Sequence, residues 1–148
     1  MVGRWSVRAE ARSPASPDVV WPLLAQARRW SEWSTVRRAD LEREGDPAPD
    51  GVGAVRRFRT GPVTTREEVV EFEPPRRLVY TMLSGLPVRG YRATVELHPD
   101  GGGTRIAWAS TFDAAPRGTA WFWRGFLRTT IRSFARRLAR RAGRRTGR

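Results

Sequence analysis

The chain of 148 residues has the length of one domain, and its 7 Trp, 6 Phe and 2 Tyr supply large side chains for a core. It contains no cysteine, which excludes disulfides, thiolate nucleophiles, Cys-ligated zinc and iron–sulfur clusters. All 28 basic residues are arginine and the net charge is +13. This balance suits phosphate-bearing partners, but it is also the outcome expected of a GC-rich genome.

The N-terminal sequence bears on the expected cellular location of the protein. It leads directly into an alternating strand pattern, without the apolar segment of a secretory signal. No apolar stretch approaches the roughly 20 residues that span a bilayer. We therefore expect a cytoplasmic protein.

The first predicted elements are a strand and two short helices. Residues 4–12 alternate between apolar and polar side chains, which predicts a half-buried strand. Ser16 is a suitable N-cap, with Pro17 at the first helical position and Asp18 complementing the helix dipole. A second short helix is predicted over 27–33, where Trp30 and Trp33 share a face.

Six further strands and one long helix follow. The strands are predicted at 36–44, 52–60, 63–72, 78–83, 89–98 and 104–112, separated by segments rich in Gly and Pro. After Pro116 the apolar period changes from 2 to 3.6 and predicts a long amphipathic helix, marked by Trp123, Leu127, Ile131, Phe134 and Leu138.

This order of elements predicts an α+β fold with one curved antiparallel sheet. The strands are consecutive, which rules out a doubly wound parallel sheet. The sheet needs a cover, and the apolar arc that begins at Trp121, Phe122, Trp123, Phe126 and Leu127 makes the final helix the candidate. A curved sheet closing over one helix tends to leave a cavity between them.

Five segments carry a family resemblance: SPDVVW (16–21), WSEW (30–33), GVGAVR (51–56), EEVVEFEPPRRLVY (67–80) and GGTRIAW (102–108). In their order and spacing they resemble the START-like, Bet v 1-like superfamily (SRPBCC), and within it the bacterial polyketide cyclase/dehydrase and lipid-transport group. The resemblance implies a helix-grip fold, with residues 1–142 forming the ligand-binding domain and 143–148 an Arg-rich tail. Members bind lipids, sterols, quinones and polyketides, and some catalyse cyclisation or dehydration.

An aromatic set on the predicted inner sheet face and the facing helix is the candidate cavity lining. Each residue alone is expected in an ordinary core, but together they exceed what packing one helix on this sheet requires. The predicted ligand-binding residues are Tyr80, Tyr91, Trp108, Ser110, Phe112, Phe122, Trp123 and Phe126. The two tyrosines and Ser110 would orient a polar end of the ligand.

A pair of charges on neighbouring strands is the candidate for catalysis. Most glutamates and arginines of 56–71 are explained by ion pairs on the outer sheet face. A carboxylate turned into an apolar cavity would have a raised pKa and act as a general acid or base. Glu67 or Glu68 with Arg57 is therefore the enzyme hypothesis.

Other chemistry-bearing residues favour structural explanations. His98, the only histidine, precedes the turn at 99–103 and is expected to be solvated. The glycines of 51–53 and 101–103 lie at strand connections and do not precede helices, so turn geometry explains them better than phosphate binding. We expect no metal and no cofactor.

The C-terminal arginines leave the partner open. A solvated helix end explains them, and contact with an anionic membrane through Arg136, Arg137, Arg140 and Arg141 is the alternative. No aromatic side chains alternate with these arginines, which weakens the hypothesis of an RNA or ribosome contact, and we expect no specific nucleic-acid partner.

The leading interpretation of the whole sequence is a carrier of a hydrophobic small molecule (a lipid, quinone or aromatic polyketide), non-enzymatic or weakly catalytic. A polyketide cyclase or dehydratase is the second.

Overall fold

The alternating segments form the strands of one sheet in the computed structural model, which describes residues 4–146. In this part of the chain the strands are β1 (Trp5–Ser13), β2 (Arg38–Arg43), β3 (Val55–Thr60), β4 (Val63–Glu73), β5 (Arg77–Ser84), β6 (Arg92–Asp100) and β7 (Gly103–Phe112). The helices are α1 (Pro17–Ala25), α2 (Trp30–Trp33) and α3 (Ala120–Thr146), with a 3₁₀ turn (Ala27–Arg29) before α2.

The seven strands lie in the order β1-β7-β6-β5-β4-β3-β2, and every neighbouring pair is antiparallel. Two register shifts interrupt the pairing of β4 with β5. Leu83 of β5 has no partner at the first, between Arg66 and Glu67, and Val70 of β4 has none at the second, between Val69 and Glu71. Such bulges bend a strand and increase its twist, so they help curve the sheet around α3. The predicted α+β fold, with a curved antiparallel sheet, two short helices after the first strand and a long C-terminal helix, is confirmed.

Strand β7 shows how the alternating pattern builds the core. Its even-numbered side chains, such as Ile106 and Trp108, are buried on the concave face. On the opposite face Arg105 donates from Nη1 to Glu10 of β1 at 2.8 Å. The period-2 pattern therefore separates an apolar inner face from an outer face that carries ion pairs between neighbouring strands.

The short helices close one end of the sheet. Helix α1 begins at Pro17, and the backbone carbonyl of Ser16 accepts hydrogen bonds from Val19 and Val20, while the Ser16 side chain forms no cap bond. The indoles of Trp30 and Trp33 are both buried, and each donates a 2.8 Å hydrogen bond to a carbonyl of α1. These bonds fix α2 against α1.

Helix α3 covers the concave face along only part of its length. Leu127, Ile131 and Leu138 are buried, as the 3.6-residue period predicts. The expectation that the arc at its N-terminal end also covers the sheet is wrong for three side chains: Trp121 is 72% exposed, Phe122 50% and Phe126 44%. Within residues 4–146, no helix is long and apolar enough to cross a membrane.

Candidate ligand-binding cavity

A cavity of about 340 Å³ lies between α3 and the strands β3, β4 and β5. This volume is near the lower end of the range for small-molecule sites, about 300–1,000 Å³. Most of the lining is apolar or aromatic, and Glu67 is its one charged residue among the described residues. The lining consists of Thr35, Val36, Phe58, Thr60, Val63, Thr65, Glu67, Tyr80, Met82, Leu86, Tyr91, Phe126, Leu127, Thr130 and Phe134.

Three ionisable side chains form the polar end of the cavity. Glu67 extends from β4, Tyr80 from β5, and Tyr91 directly precedes β6. All three are buried. An apolar chamber with a few convergent polar groups can both hold a hydrophobic body and orient one polar group on it.

Glu67 forms a buried ion pair with Arg56. Its Oε1 accepts a 2.8 Å hydrogen bond from Nη2 of Arg56, and the Arg56 side chain is fully buried. The two residues are directly opposite each other in the antiparallel register of β3 and β4. Arg56 does not line the cavity, so it contacts the Glu67 carboxylate from the side facing away from the cavity.

Aromatic rings surround the Arg56 guanidinium. Its Cζ lies 4.8 Å from the ring centroid of Trp30, 5.0 Å from that of Phe58 and 4.6 Å from that of Tyr80. Cation–π attraction strengthens when the charge is removed from water, so these rings offset part of the cost of burying Arg56. The Nε and Nη1 atoms of Arg56 form no hydrogen bond with the described residues.

Burial determines the protonation behaviour of this polar end. Burial raises the pKa of Glu67 above its ordinary value, while the charge and hydrogen bond of Arg56 lower it and offset part of that effect. Burial likewise raises the pKa values of Tyr80 and Tyr91, so both phenols stay protonated at neutral pH and are able to donate hydrogen bonds. The arrangement provides one carboxyl group with enhanced basicity and two phenol donors.

The arginine of this pair differs from the sequence hypothesis. Arg57 lies on the outer sheet face, opposite Arg66 and Asp40 in the strand register. Glu68 also faces outward and pairs with Arg43 at 3.1 Å. Because side chains alternate along a strand, Arg56 and not Arg57 shares the inner face with Glu67.

The structure brings only part of the predicted ligand-binding set to the cavity. Tyr80, Tyr91 and Phe126 line it. Trp108, Ser110 and Phe112 are buried on the inner face of β7 but do not line it. Trp108 instead packs against Trp30, Trp33 and Phe134, with ring centroids 5.6–6.4 Å away.

Phe122 and Trp123 lie outside the cavity, on the N-terminal end of α3. Phe122 is half exposed, and Trp123 contacts the rings of Phe122 and Phe126 at 5.2 and 5.6 Å. Phe58 and Phe134, which do line the cavity, were missed as site residues. Phe134 belongs to the apolar period of α3, and that period was the available signal.

The other candidates of the sequence occupy structural positions. His98 is half exposed, with its Nε2 4.0 Å from Glu96. Gly53, Gly101 and Gly102 adopt positive φ angles of 92°, 56° and 87° in strand connections, a conformation that favours glycine. Within the described residues, no group of three or more His, Asp or Glu side chains could hold a metal ion.

A curved antiparallel sheet wrapped around a long C-terminal helix, with a cavity between them, defines the helix-grip fold. The chain belongs to the polyketide cyclase/dehydrase and lipid transport family, whose sequence profile matches residues 4–143. A search of the curated proteins found no match.

Solved structures share this fold. A Thermobifida fusca protein known from a solution NMR structure is 29% identical, with 94% of this chain and 93% of that chain covered and a TM-score of 0.73. The di-domain ARO/CYC StfQ of the steffimycin biosynthetic pathway is 20% identical, with coverage of 97% and 52% and a TM-score of 0.79. Norcoclaurine synthase from Thalictrum flavum, a point mutant in complex with a transition state analogue, is 15% identical, with coverage of 99% of both chains and a TM-score of 0.79.

Proposed function

We propose that this protein binds a compact hydrophobic molecule with one neutral polar group in the cavity beneath α3. The observation that carries the proposal is the mainly apolar chamber of about 340 Å³ with Glu67, Tyr80 and Tyr91 at one end. The small volume favours a single fused-ring or short-chain ligand. The rings of Phe58, Phe126 and Phe134 favour an aromatic one.

The charge of the polar end restricts the ligand further. A carboxylate on the ligand would meet the Glu67 carboxylate, and two like charges in an apolar site repel each other strongly. A hydroxyl or carbonyl group instead accepts hydrogen bonds from the two phenols. The family, polyketide cyclase/dehydrase and lipid transport, supports a polyketide as the ligand class, and the rings of the lining favour an aromatic one.

Filling the cavity from the helix tests this proposal. Thr130 lines the cavity and Thr129 is exposed, and each hydroxyl bonds to the backbone carbonyl four residues earlier. The neutral fluorophore N-phenyl-1-naphthylamine should bind wild type and the matched control Thr129→Phe alike. Its affinity for Thr130→Phe should fall at least about tenfold, because the new ring occupies the binding volume. Equal affinity in both variants would place the probe elsewhere.

Acid–base catalysis on an enolisable ligand is the second candidate function. The specific observation is a cavity-lining carboxyl whose pKa is raised by burial, beside two phenols. The Glu67 carboxylate would take a proton from the carbon next to a ligand ketone, and a tyrosine O–H would hydrogen-bond to the enolate oxygen that forms. In a dehydration, Glu67 would return that proton to a β-hydroxyl as its C–O bond breaks, which releases water. In a cyclisation, the enolate carbon would attack a second carbonyl of the ligand, and the proton would go to the alkoxide that forms.

Proton exchange separates the enzyme from the carrier. We expect the wild type to accelerate deuterium incorporation at the α-carbon of 2-tetralone in D₂O, followed by NMR. We expect Glu67→Gln to lower that rate by about 10²–10⁴-fold, the usual range for removing a general base. If the folded wild type binds 2-tetralone but does not accelerate deuterium exchange, the enzyme hypothesis is rejected and the carrier function stands.

A further inference from the structure

The N-terminal end of α3 carries an exposed aromatic patch, formed by Trp121, Phe122, Trp123 and Phe126. Successive rings contact one another edge to face, with centroids 5.2–6.2 Å apart. Trp121 is 72% exposed, and its indole nitrogen donates only to the nearby backbone carbonyl of Gly118. Large exposed aromatic clusters of this kind mark interaction surfaces.

This patch is continuous with the cavity entrance. Phe126 belongs to both the patch and the cavity lining. Val63, another lining residue, is 38% exposed. A hydrophobic molecule entering or leaving the cavity at this end would therefore pass the patch.

An arginine stripe runs along the same helix from beside the patch. Arg128, Arg132, Arg136, Arg140 and Arg144 recur at intervals of four residues and are all exposed. They span about 24 Å at the helical rise of 1.5 Å per residue. None of the five forms an ion pair with another described residue.

Few acids lie near the stripe. Helix α3 has nine arginines and no acidic residue, so it supplies most of the net charge of +13. A groove of about 640 Å³ between α3 and β1 is lined by Arg12, Arg136, Arg140 and Arg144, with Glu10 as its one acid among the described lining residues. Glu10 is already paired with Arg105 at 2.8 Å. The surface therefore remains strongly positive.

We propose that the exposed face of α3 docks on an anionic lipid bilayer, with the aromatic patch inserted at the headgroup level and the arginine stripe on the phosphates. Tryptophan and phenylalanine partition to this depth, and clustered arginines bind anionic lipid. Docking presents the cavity entrance to the bilayer. That route for a ligand rests on the proposed binding function, whereas the docking itself does not.

Two other occupants fit the surface less well. A second copy of the chain would bring its own charge of +13 against the stripe, which opposes association. Single-stranded RNA is held by aromatic rings interleaved with basic residues. Here the rings occupy only the end of the helix that borders the cavity.

Vesicle sedimentation of the full-length protein without ligand tests the proposal. We expect binding to vesicles of equal phosphatidylcholine and phosphatidylglycerol, weakening as salt rises, and little binding to phosphatidylcholine alone. Quenching of tryptophan fluorescence by lipids brominated near the headgroup should accompany binding and disappear in Trp121→Ala/Phe122→Ala. Absence of sedimentation with anionic vesicles at low salt would overturn the docking and leave cavity binding unaffected.

Matched charge variants separate the stripe from overall charge. Arg132→Gln/Arg136→Gln/Arg140→Gln should weaken vesicle binding on the order of 100-fold. The control Arg38→Gln/Arg57→Gln/Arg59→Gln removes the same charge from the outer face of β2 and β3 and should retain most of the affinity. Equal losses in the two triple variants would reject a specific surface on α3.

Two further readouts address the competing occupants. Anisotropy with a labelled oligouridylate should show only weak, salt-sensitive binding that Trp121→Ala/Phe122→Ala leaves unchanged. RNA affinity above vesicle affinity and dependent on those rings would overturn the proposal in favour of RNA. A wild type that elutes as a dimer and becomes monomeric in the same variant would overturn it in favour of self-association.

Discussion

Arg56 and Glu67 lie opposite each other on the inner face of the sheet, where a charge without a partner is costly. Each stabilises the ionised form of the other, and the rings of Trp30, Phe58 and Tyr80 surround the guanidinium. Buried pairs of this kind add little net stability relative to apolar residues, but breaking one by removing a single partner is strongly destabilising.

Truncating the carboxylate alone should therefore destabilise the protein strongly. We expect Glu67→Leu to lower the free energy of unfolding by about 3–5 kcal/mol, because Arg56 remains charged and buried. The double variant Arg56→Met/Glu67→Leu should recover most of that loss. Urea denaturation of wild type, both single variants and the double variant measures the coupling, and simple additivity of the two single effects would contradict it.

The raised pKa of Glu67 makes its contribution to stability depend on pH. Because the folded protein holds this proton more tightly than the unfolded chain, the contribution is fully present below the ordinary value of 4.5 and decreases as pH rises through the folded-state pKa. We expect the unfolding free energy of wild type minus that of Glu67→Gln to be constant below that value and to fall above it. Urea titrations at a series of pH values check this, and a difference that rises with pH would show a lowered pKa instead.

The residues of this pair were only partly predictable from sequence. The alternation in β4 limits the inner face to Glu67 or Glu68, but it does not say which. The choice depends on the pairing of β3 with β4, which places Glu67 opposite Arg56. Register therefore decided between Arg56 and Arg57, and a single sequence does not encode register explicitly.

At the scale of elements, β7 and α3 have different roles around the cavity. Trp108 of β7 is buried among Trp30, Trp33 and Phe134 and does not line the cavity. Phe126 of α3 is at the entrance and 44% exposed. Trp108 therefore packs β7 against α2 and α3, whereas Phe126 is placed to contact a ligand in the cavity.

Two alanine substitutions should separate these roles. Trp108→Ala should lower the free energy of unfolding by about 3–5 kcal/mol, the usual cost of emptying a buried aromatic site. Phe126→Ala should cost less than about 1.5 kcal/mol, the lower end of the range for a fully buried side chain, since much of its ring already contacts solvent. It should nevertheless weaken probe binding. Thermal or urea unfolding measures the first effect and fluorophore titration the second. Similar stability losses in both variants would contradict this division.

Periodicity predicted the elements well because burial on one face produces it directly. The strand and helix periods located all seven strands and the long helix. Periodicity did not show that Trp121, Phe122 and Phe126 extend past the sheet, because a helical pattern does not indicate where the surface that it covers ends. The exposed patch is visible only in three dimensions.

At the scale of the whole molecule, the cavity depends on how the sheet bends away from α3. Its volume of about 340 Å³ depends on the bulges, on the placement of the loops and on the packing of Leu127 and Phe134. None of these features can be predicted from local sequence patterns. The class of protein was therefore predictable from ordered motifs. The ligand was not, because cavity shape selects it.

Native mass spectrometry of the freshly purified protein tests the ligand-filled cavity most directly. Wild type and Thr129→Phe should each carry a bound small molecule, retained from the cell or supplied as N-phenyl-1-naphthylamine. Thr130→Phe, folded by circular dichroism, should appear as polypeptide alone. The same bound mass on Thr130→Phe as on wild type, or no bound mass on wild type even with added probe, would contradict the assignment of the cavity beneath α3 as the ligand site.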